Sequence, residues 1–231
     1  ILPRSGATTH QDGDVLLDVL DTVRGLLPVR DGFVRVGVDG VDGSGKTTFA
    51  DSLAEHLRGH GRDVVRIRED DFLAPRAVRY RLGRTSPEGY LADSYDLDRL
   101  RADVLDPFGP HGHGRYRDRA LDLSTDTVLD PPWRQATSGA VLVLDGMFLH
   151  RDELRGAWDV SVLLDVPFEE TCRRMALRDG SDPDPESASM HRYVEGQRLY
   201  LARYRPAERA TVVVDKTDVA ARPSTLSGTA T

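Results

Sequence analysis

The eight residues Gly40-Val41-Asp42-Gly43-Ser44-Gly45-Lys46-Thr47 satisfy the pattern G-x-x-x-x-G-K-[ST]. They sit between a run of strand character, FVRVGVD (33–39), and a helical stretch reaching about Leu57. That placement commits the chain to a strand, a glycine turn and a helix wrapped around phosphate oxygens. Glycine lets the backbone approach the oxygens closely, and the N-terminus of the following helix adds partial positive charge. Lys46 is placed to reach the β- and γ-phosphates, and the Thr47 hydroxyl to ligate Mg²⁺. The expected ATP-binding residues are therefore Gly40, Asp42, Gly43, Ser44, Gly45, Lys46, Thr47 and Thr48. With glycine at 21 of 231 positions and lysine only at Lys46 and Lys216, chance supplies roughly 0.002 such matches.

Around this unit the chain alternates strand and helix. Val15, Leu16, Val19, Leu20, Val23, Leu26 and Leu27 recur at helical spacing. Strands are expected at 63–69, 140–146, 159–166 and 210–215, and helices at 97–105, 168–179 and 187–205. Short apolar β-branched runs separated by helices indicate an α/β sandwich around a parallel sheet. Residues 1–13 and 216–231 are polar and expected to be loose, leaving one domain over 14–215. Residues 107–132 break the rhythm: RYRDRALDL and DTVLD, set among Pro and Gly, are expected to pair as a β-hairpin over a substrate pocket.

Acids at strand ends are the next candidates. Asp145 closes VLVLD, where a second Mg²⁺-directed carboxylate belongs beside Thr47. Asp70 and Asp71 end the second strand, where one of them could take a proton from an incoming hydroxyl; adjacent acids rarely point the same way. The segment SPEGYLADSYDLD (86–98) concentrates carboxylates and tyrosines suited to a sugar or base. Glu88, Tyr90 and Asp93 are nominated there, with Arg79 or Arg81 for an anionic acceptor.

Composition narrows the alternatives. Net charge is −7, which argues against a protein that coats nucleic acid. No apolar run approaches membrane length and no signal-peptide core is present, so a cytoplasmic protein with no membrane partner is expected. The single cysteine, Cys172, cannot form an internal disulfide. The seven histidines show no zinc spacing.

GVDGSGKTTFADSLA, EDDF, VLVLDGMF and RRMALRD, in this order, resemble the uridine kinase and phosphoribulokinase group of P-loop kinases over about residues 33–215. The resemblance implies the P-loop NTPase fold: a three-layer sandwich with a five-stranded parallel sheet, a substrate hairpin at 113–130 and a helical lid at about 174–192. It implies ATP and Mg²⁺ as cofactors and Asp70 as the base. Arg174 and Arg178 are implied to close on the phosphates, with Lys46 completing the catalytic set, and Asp215 to Asp218 to line the adenine site. Tyr116 falls on a pyrimidine-contacting tyrosine, while Leu121 and Asp122 stand where such kinases carry a histidine. Arg192 is a candidate for further lid charge, and Asp71 for the acceptor side. The expected reaction is transfer of the γ-phosphate to a small-molecule hydroxyl, first of all the 5′-OH of uridine or cytidine. The alternatives are a kinase for another alcohol (a sugar phosphate, a pantothenate-like metabolite or a hydroxylated antibiotic) and a non-catalytic nucleotide switch. Members of the group are often oligomeric, so a homo-oligomer is allowed for.

Overall fold

Apolar runs in the sequence become the centre of the molecule. A computed structural model describes residues 8–215, with side chains from Val15 onward. Residues 1–7 and the tail 216–231, including Lys216 and Asp218, lie outside the described residues.

Five strands, β1 (Val34–Gly40), β2 (Val64–Arg68), β7 (Val141–Gly146), β8 (Val160–Asp165) and β9 (Val212–Asp215), form one sheet. Their order is β2-β7-β1-β8-β9 and every pairing is parallel. Helices α1 (Thr8–Gly25), α2 (Lys46–Gly59), α3 (Arg76–Arg79), α4 (Pro87–Asp93), α5 (Leu97–Leu100), α6 (Phe168–Asp179), α7 (His191–Tyr204) and α8 (Pro206–Arg209) complete the domain. Alternation along β1 divides its side chains between the two faces. Val34, Val36 and Val38 pack with Phe49, Leu53 and Leu57 of α2 and with Val19 and Val23 of α1. On the other face Leu142 and Leu144 of β7 meet Leu100, Val104 and Phe108. Each such side chain contributes about 1.5–3 kcal/mol when fully buried. All seven residues of β1 are buried, and the phosphate loop leaves from the central strand of the sheet.

Two local outcomes differ from expectation, and a third goes beyond it. The first helix starts at Thr8, inside the segment expected to be loose, because the apolar face from Val15 seeds a helix that its polar leader can extend. The helix expected over 97–105 is α-helical only to Leu100 and widens into a π-helical turn over Arg101–Leu105. The excursion forms the expected hairpin, β4 (Leu121–Asp122) of the first run meeting β5 (Thr127–Val128) of the second, and adds a pairing between β3 (Arg115–Tyr116) and β6 (Arg134–Gln135). Asp122 Oδ1 accepts from both the backbone N and the Oγ of Ser124, and Asp126 takes φ 55°. This tight turn uses only the end of each run. Arg115 and Arg117 then stack on Trp133, drawing in the chain beyond the two prolines. Among the described residues no helix is long and apolar enough to cross a membrane.

Candidate active site

The loop after β1 is shaped by glycine where side chains would not fit. Gly43 adopts φ +74°, and a Cβ there would lie 2.7 Å from the Thr171 carbonyl of α6. Gly45 caps α2 at φ +88° with nothing within 4 Å of its Cβ position, which leaves the backbone open toward the space in front of the helix. Lys46 Nζ donates to the Val41 carbonyl at 2.9 Å, folding the ammonium over the loop.

Three other elements close around that space. A cavity of about 350 Å³ is bounded by the loop, by Asp70 after β2, by Asp145, Gly146 and Met147 after β7, and by Arg174, Met175 and Arg178 of α6. Of the nominated ATP-binding residues, Asp42, Gly43, Gly45, Lys46, Thr47 and Thr48 line it, while Gly40 and Ser44 are buried beneath. The Thr47 hydroxyl donates to Asp145 Oδ2 at 2.7 Å. A hydroxyl and a carboxylate side by side, with no nitrogen or sulfur donor, fit a hard cation such as Mg²⁺. Asp145 Oδ1 lies 2.7 Å from the Arg66 guanidinium, which offsets its buried charge.

Asp70 opens to the cavity but is crowded by protein on its other sides. That crowding raises its carboxyl above the usual range, helped by the charges of Asp145 and Asp42 and opposed by Lys46 and a Tyr95 hydrogen bond. Tyr95 Oη donates to Asp70 Oδ1 at 3.1 Å. Asp71 turns the other way, into a second cavity of about 390 Å³ shared with Asp51, Arg66, Arg68, Asp118 and Arg119.

The two arginines expected in a lid, Arg174 and Arg178, line the first cavity from α6. Arg174 is steered by Glu170 at 2.7 Å; Arg178 pairs with Asp179 at 2.7 Å and lies 4.0 Å from Asp42. The acceptor nominees are not brought there. Tyr90 is buried in an aromatic cluster, edge-on to Phe148 and Tyr193, with its hydroxyl on Met147 Sδ. Asp93 is buried and answers Arg81 at 2.8 Å, while Glu88 sits in the exposed first turn of α4. Arg79 pairs with Asp126, and Tyr116 packs edge-on to Phe108. Arg192, expected as lid charge, is 6% exposed and donates to the carbonyls of Arg79, Gly83 and Ser86. Its guanidinium is consumed by backbone, because a buried cation needs such partners. Of the residues named for the adenine site, Asp215 ends β9, and the following three lie outside the described residues.

Several site residues come from long-range contacts. Tyr95 and Asp96, inside the segment 86–98 but not nominated, border an open groove with Ala74, Pro75 and Val78. Asp39, fully buried on β1, accepts at Oδ1 from the Gly40 amide at 2.7 Å and at Oδ2 from the Tyr200 hydroxyl, with His150 Nδ1 2.6 Å from the same Oδ2. Burial alone would raise this carboxyl, but these hydrogen bonds hold it below its ordinary value. Glu69, also fully buried, accepts from the Met147 amide at 2.9 Å, and burial pushes it well above the carboxylate range. A Cβ on Gly146 would lie 2.3 Å from Glu69 Oε2 and 2.6 Å from Glu69 Cβ. Gly146→Ala is therefore expected to lower stability by about 1–3 kcal/mol, read as a fall in the urea midpoint; an unchanged midpoint would show that Glu69 swings aside. At the surface, donor atoms of Asp21, His56 and His60 gather within 4.8 Å, a grouping hidden in the sequence, and Arg24 already pairs with Asp21.

Residues 36–199 match the AAA domain family. The chain is similar to nicotinamide riboside kinase 1 of Homo sapiens, 27% identical over 150 residues that cover 64% of this chain and 67% of that protein. The Mus musculus protein of the same name is 27% identical over 154 residues, 65% and 69% of the two chains. Among solved structures, a possible uridine kinase from Bacillus stearothermophilus superposes with a TM-score of 0.68 at 26% identity, covering 88% of this chain and 98% of that one.

Proposed function

Since the chain belongs to the AAA domain family and is an ATP-dependent small-molecule kinase of uridine kinase type, we propose that its acceptor is a ribonucleoside phosphorylated on the 5′-hydroxyl. The observation that carries this reading is the single cavity in which Asp70, oriented by Tyr95, faces Lys46, Thr47 and Asp145. A primary hydroxyl brought against Asp70 loses its proton to that carboxylate as its oxygen attacks the γ-phosphorus, and the bond to the β-phosphate oxygen breaks, leaving ADP. Loop amides and Lys46 hold the triphosphate, while Arg174 and Arg178 offset charge on the transferring group. Thr47 and Asp145 would hold Mg²⁺, which when bound neutralises phosphate charge.

The likeness to a riboside kinase supports a ribosyl acceptor, with uridine and cytidine as the first candidates. Leu121, buried in β4, stands where uridine kinases carry a pyrimidine-contacting histidine and offers no hydrogen bond in its place, which favours testing other ribosides alongside them. The test is ADP release from Mg·ATP with uridine, cytidine, nicotinamide riboside, ribose, a sugar phosphate, pantothenate and glycerate. Turnover on one or more ribosides and none on the other alcohols is the expected result. Turnover confined to a non-riboside alcohol would overturn the acceptor assignment and leave the kinase reading standing.

A further inference from the structure

Helix α7 touches both halves of the site without lining the cavity, through side chains one or two turns apart. Near its N-terminus Arg192 gathers three backbone carbonyls of the segment 79–86, which leads into α4. Gly196 follows one turn on, where a Cβ would lie 2.8 Å from the Tyr90 ring and 2.9 Å from the Pro87 carbonyl, so α7 lies directly against α4. Gln197 comes next. Its Nε2 donates to the Tyr193 carbonyl at 2.9 Å, which fixes the amide so that Oε1 accepts from the Asp42 amide of the phosphate loop at 2.5 Å. Tyr200, three residues later, donates to Asp39 and accepts from the His150 amide at 2.9 Å. Both ends of the loop's first half are thus tied to one helix, Asp39 through Tyr200 and Asp42 through Gln197. From Arg192 to Tyr200 the helix rises about 12 Å.

We propose that α7 is a rigid strap coupling the acceptor-side segment 79–86 to the phosphate loop, with Gln197 and Arg192 as positioning residues. The inference rests on the reading that the cavity takes a nucleotide. A packed helix moves as a unit, so fixing the loop around phosphates restricts the segment that Arg192 holds, and the effect is reciprocal. None of residues 79–86 borders the cavity, so α7 offers nucleotide a route to that segment that needs no direct contact. Segment 79–86 is largely exposed or half-buried, which gives it room to respond.

The test uses ADP alone and so does not depend on the acceptor's identity. ADP affinity is measured by titration calorimetry, and amide hydrogen exchange of 79–86 is followed with and without ADP. In the wild type, ADP is expected to slow exchange in this segment. Gln197→Leu, which keeps the bulk and removes the acceptor oxygen, is expected to weaken ADP about tenfold and to abolish the protection at 79–86. A role in folding alone would lower the melting temperature and leave both readouts unchanged. Tyr200→Phe, which removes a single hydroxyl, is expected to act in the same direction and serves if Gln197→Leu fails to fold. ADP binding without any change at 79–86 in the wild type overturns the coupling and spares the kinase reading. Variants that keep ADP affinity within twofold and retain the protection also overturn it. Absence of ADP binding by the wild type removes the underlying reading and the strap with it.

Discussion

Asp70→Asn is expected to lower kcat by about 10²–10⁴-fold while ADP affinity, measured by calorimetry, stays within about threefold. The amide keeps the size of the side chain and can still meet the Tyr95 hydroxyl, so the cavity should persist. What is lost is the ability to take a proton. The direction of the Asp70 shift adds a second readout. A base works only when deprotonated, and crowding raises this carboxyl, so the acid limb of the kcat/KM profile should lie above the usual aspartate range. Asp71→Asn should cost far less, because Asp71 faces the neighbouring cavity. Wild-type turnover in Asp70→Asn would move the base elsewhere, with Asp71 the first to test.

Lys46→Met should reduce kcat/KM for ATP by about 10²–10³-fold, the scale of removing one charged group from a transferring phosphoryl. Lysine is needed here as a compact point charge, so Lys46→Arg should not restore the rate, its broad fork being unable to fold over the loop as Nζ does onto Val41. A linked effect distinguishes this from simple loss of binding. The Lys46 charge lowers the Asp70 carboxyl, so its removal should move the acid limb still higher. A limb that stayed in place at saturating ATP would mean that Lys46 and Asp70 do not interact in the working enzyme.

What the chain's order of residues reveals follows from how far apart the contributors lie. The phosphate loop is legible because strand, glycines, lysine and helix are contiguous and each follows from local backbone rules. Asp145 is legible because an acid closing a buried strand must emerge at the sheet's edge, and parallel strands put that edge beside the loop. Asp70 and Asp71 could be named together but not told apart, since which one faces the cavity depends on the turn over Glu69–Phe72. His150, Gln197 and Tyr200 gave no local sign, and Tyr95, inside the segment 86–98, gave none that set it apart from its neighbours. Each acts through a partner 25 or more residues away, 161 in the case of Tyr200 and Asp39. Arg192 misled for a related reason: an arginine beside a lid reads as phosphate-directed until the carbonyls around it are seen. The hairpin register was hidden because its outer pairing is drawn in by Trp133, beyond the residues that appeared to close it.

The order of strands in the sheet also sets when the cradle can exist during synthesis. β1 and its loop are made well before both neighbours of β1, which come at Val141–Gly146 and Val160–Asp165. Until Gly146 has emerged, the strand that carries the loop has no partner, and until Asp165 it is open along one side, so the entropy of closing so long a connection is unrepaid. A nascent chain shorter than that has the phosphate-binding sequence without the phosphate-binding shape. Nucleotide can therefore stabilise only a polypeptide that has reached those strands, and until then the strand at the heart of the sheet must be kept from pairing with something else.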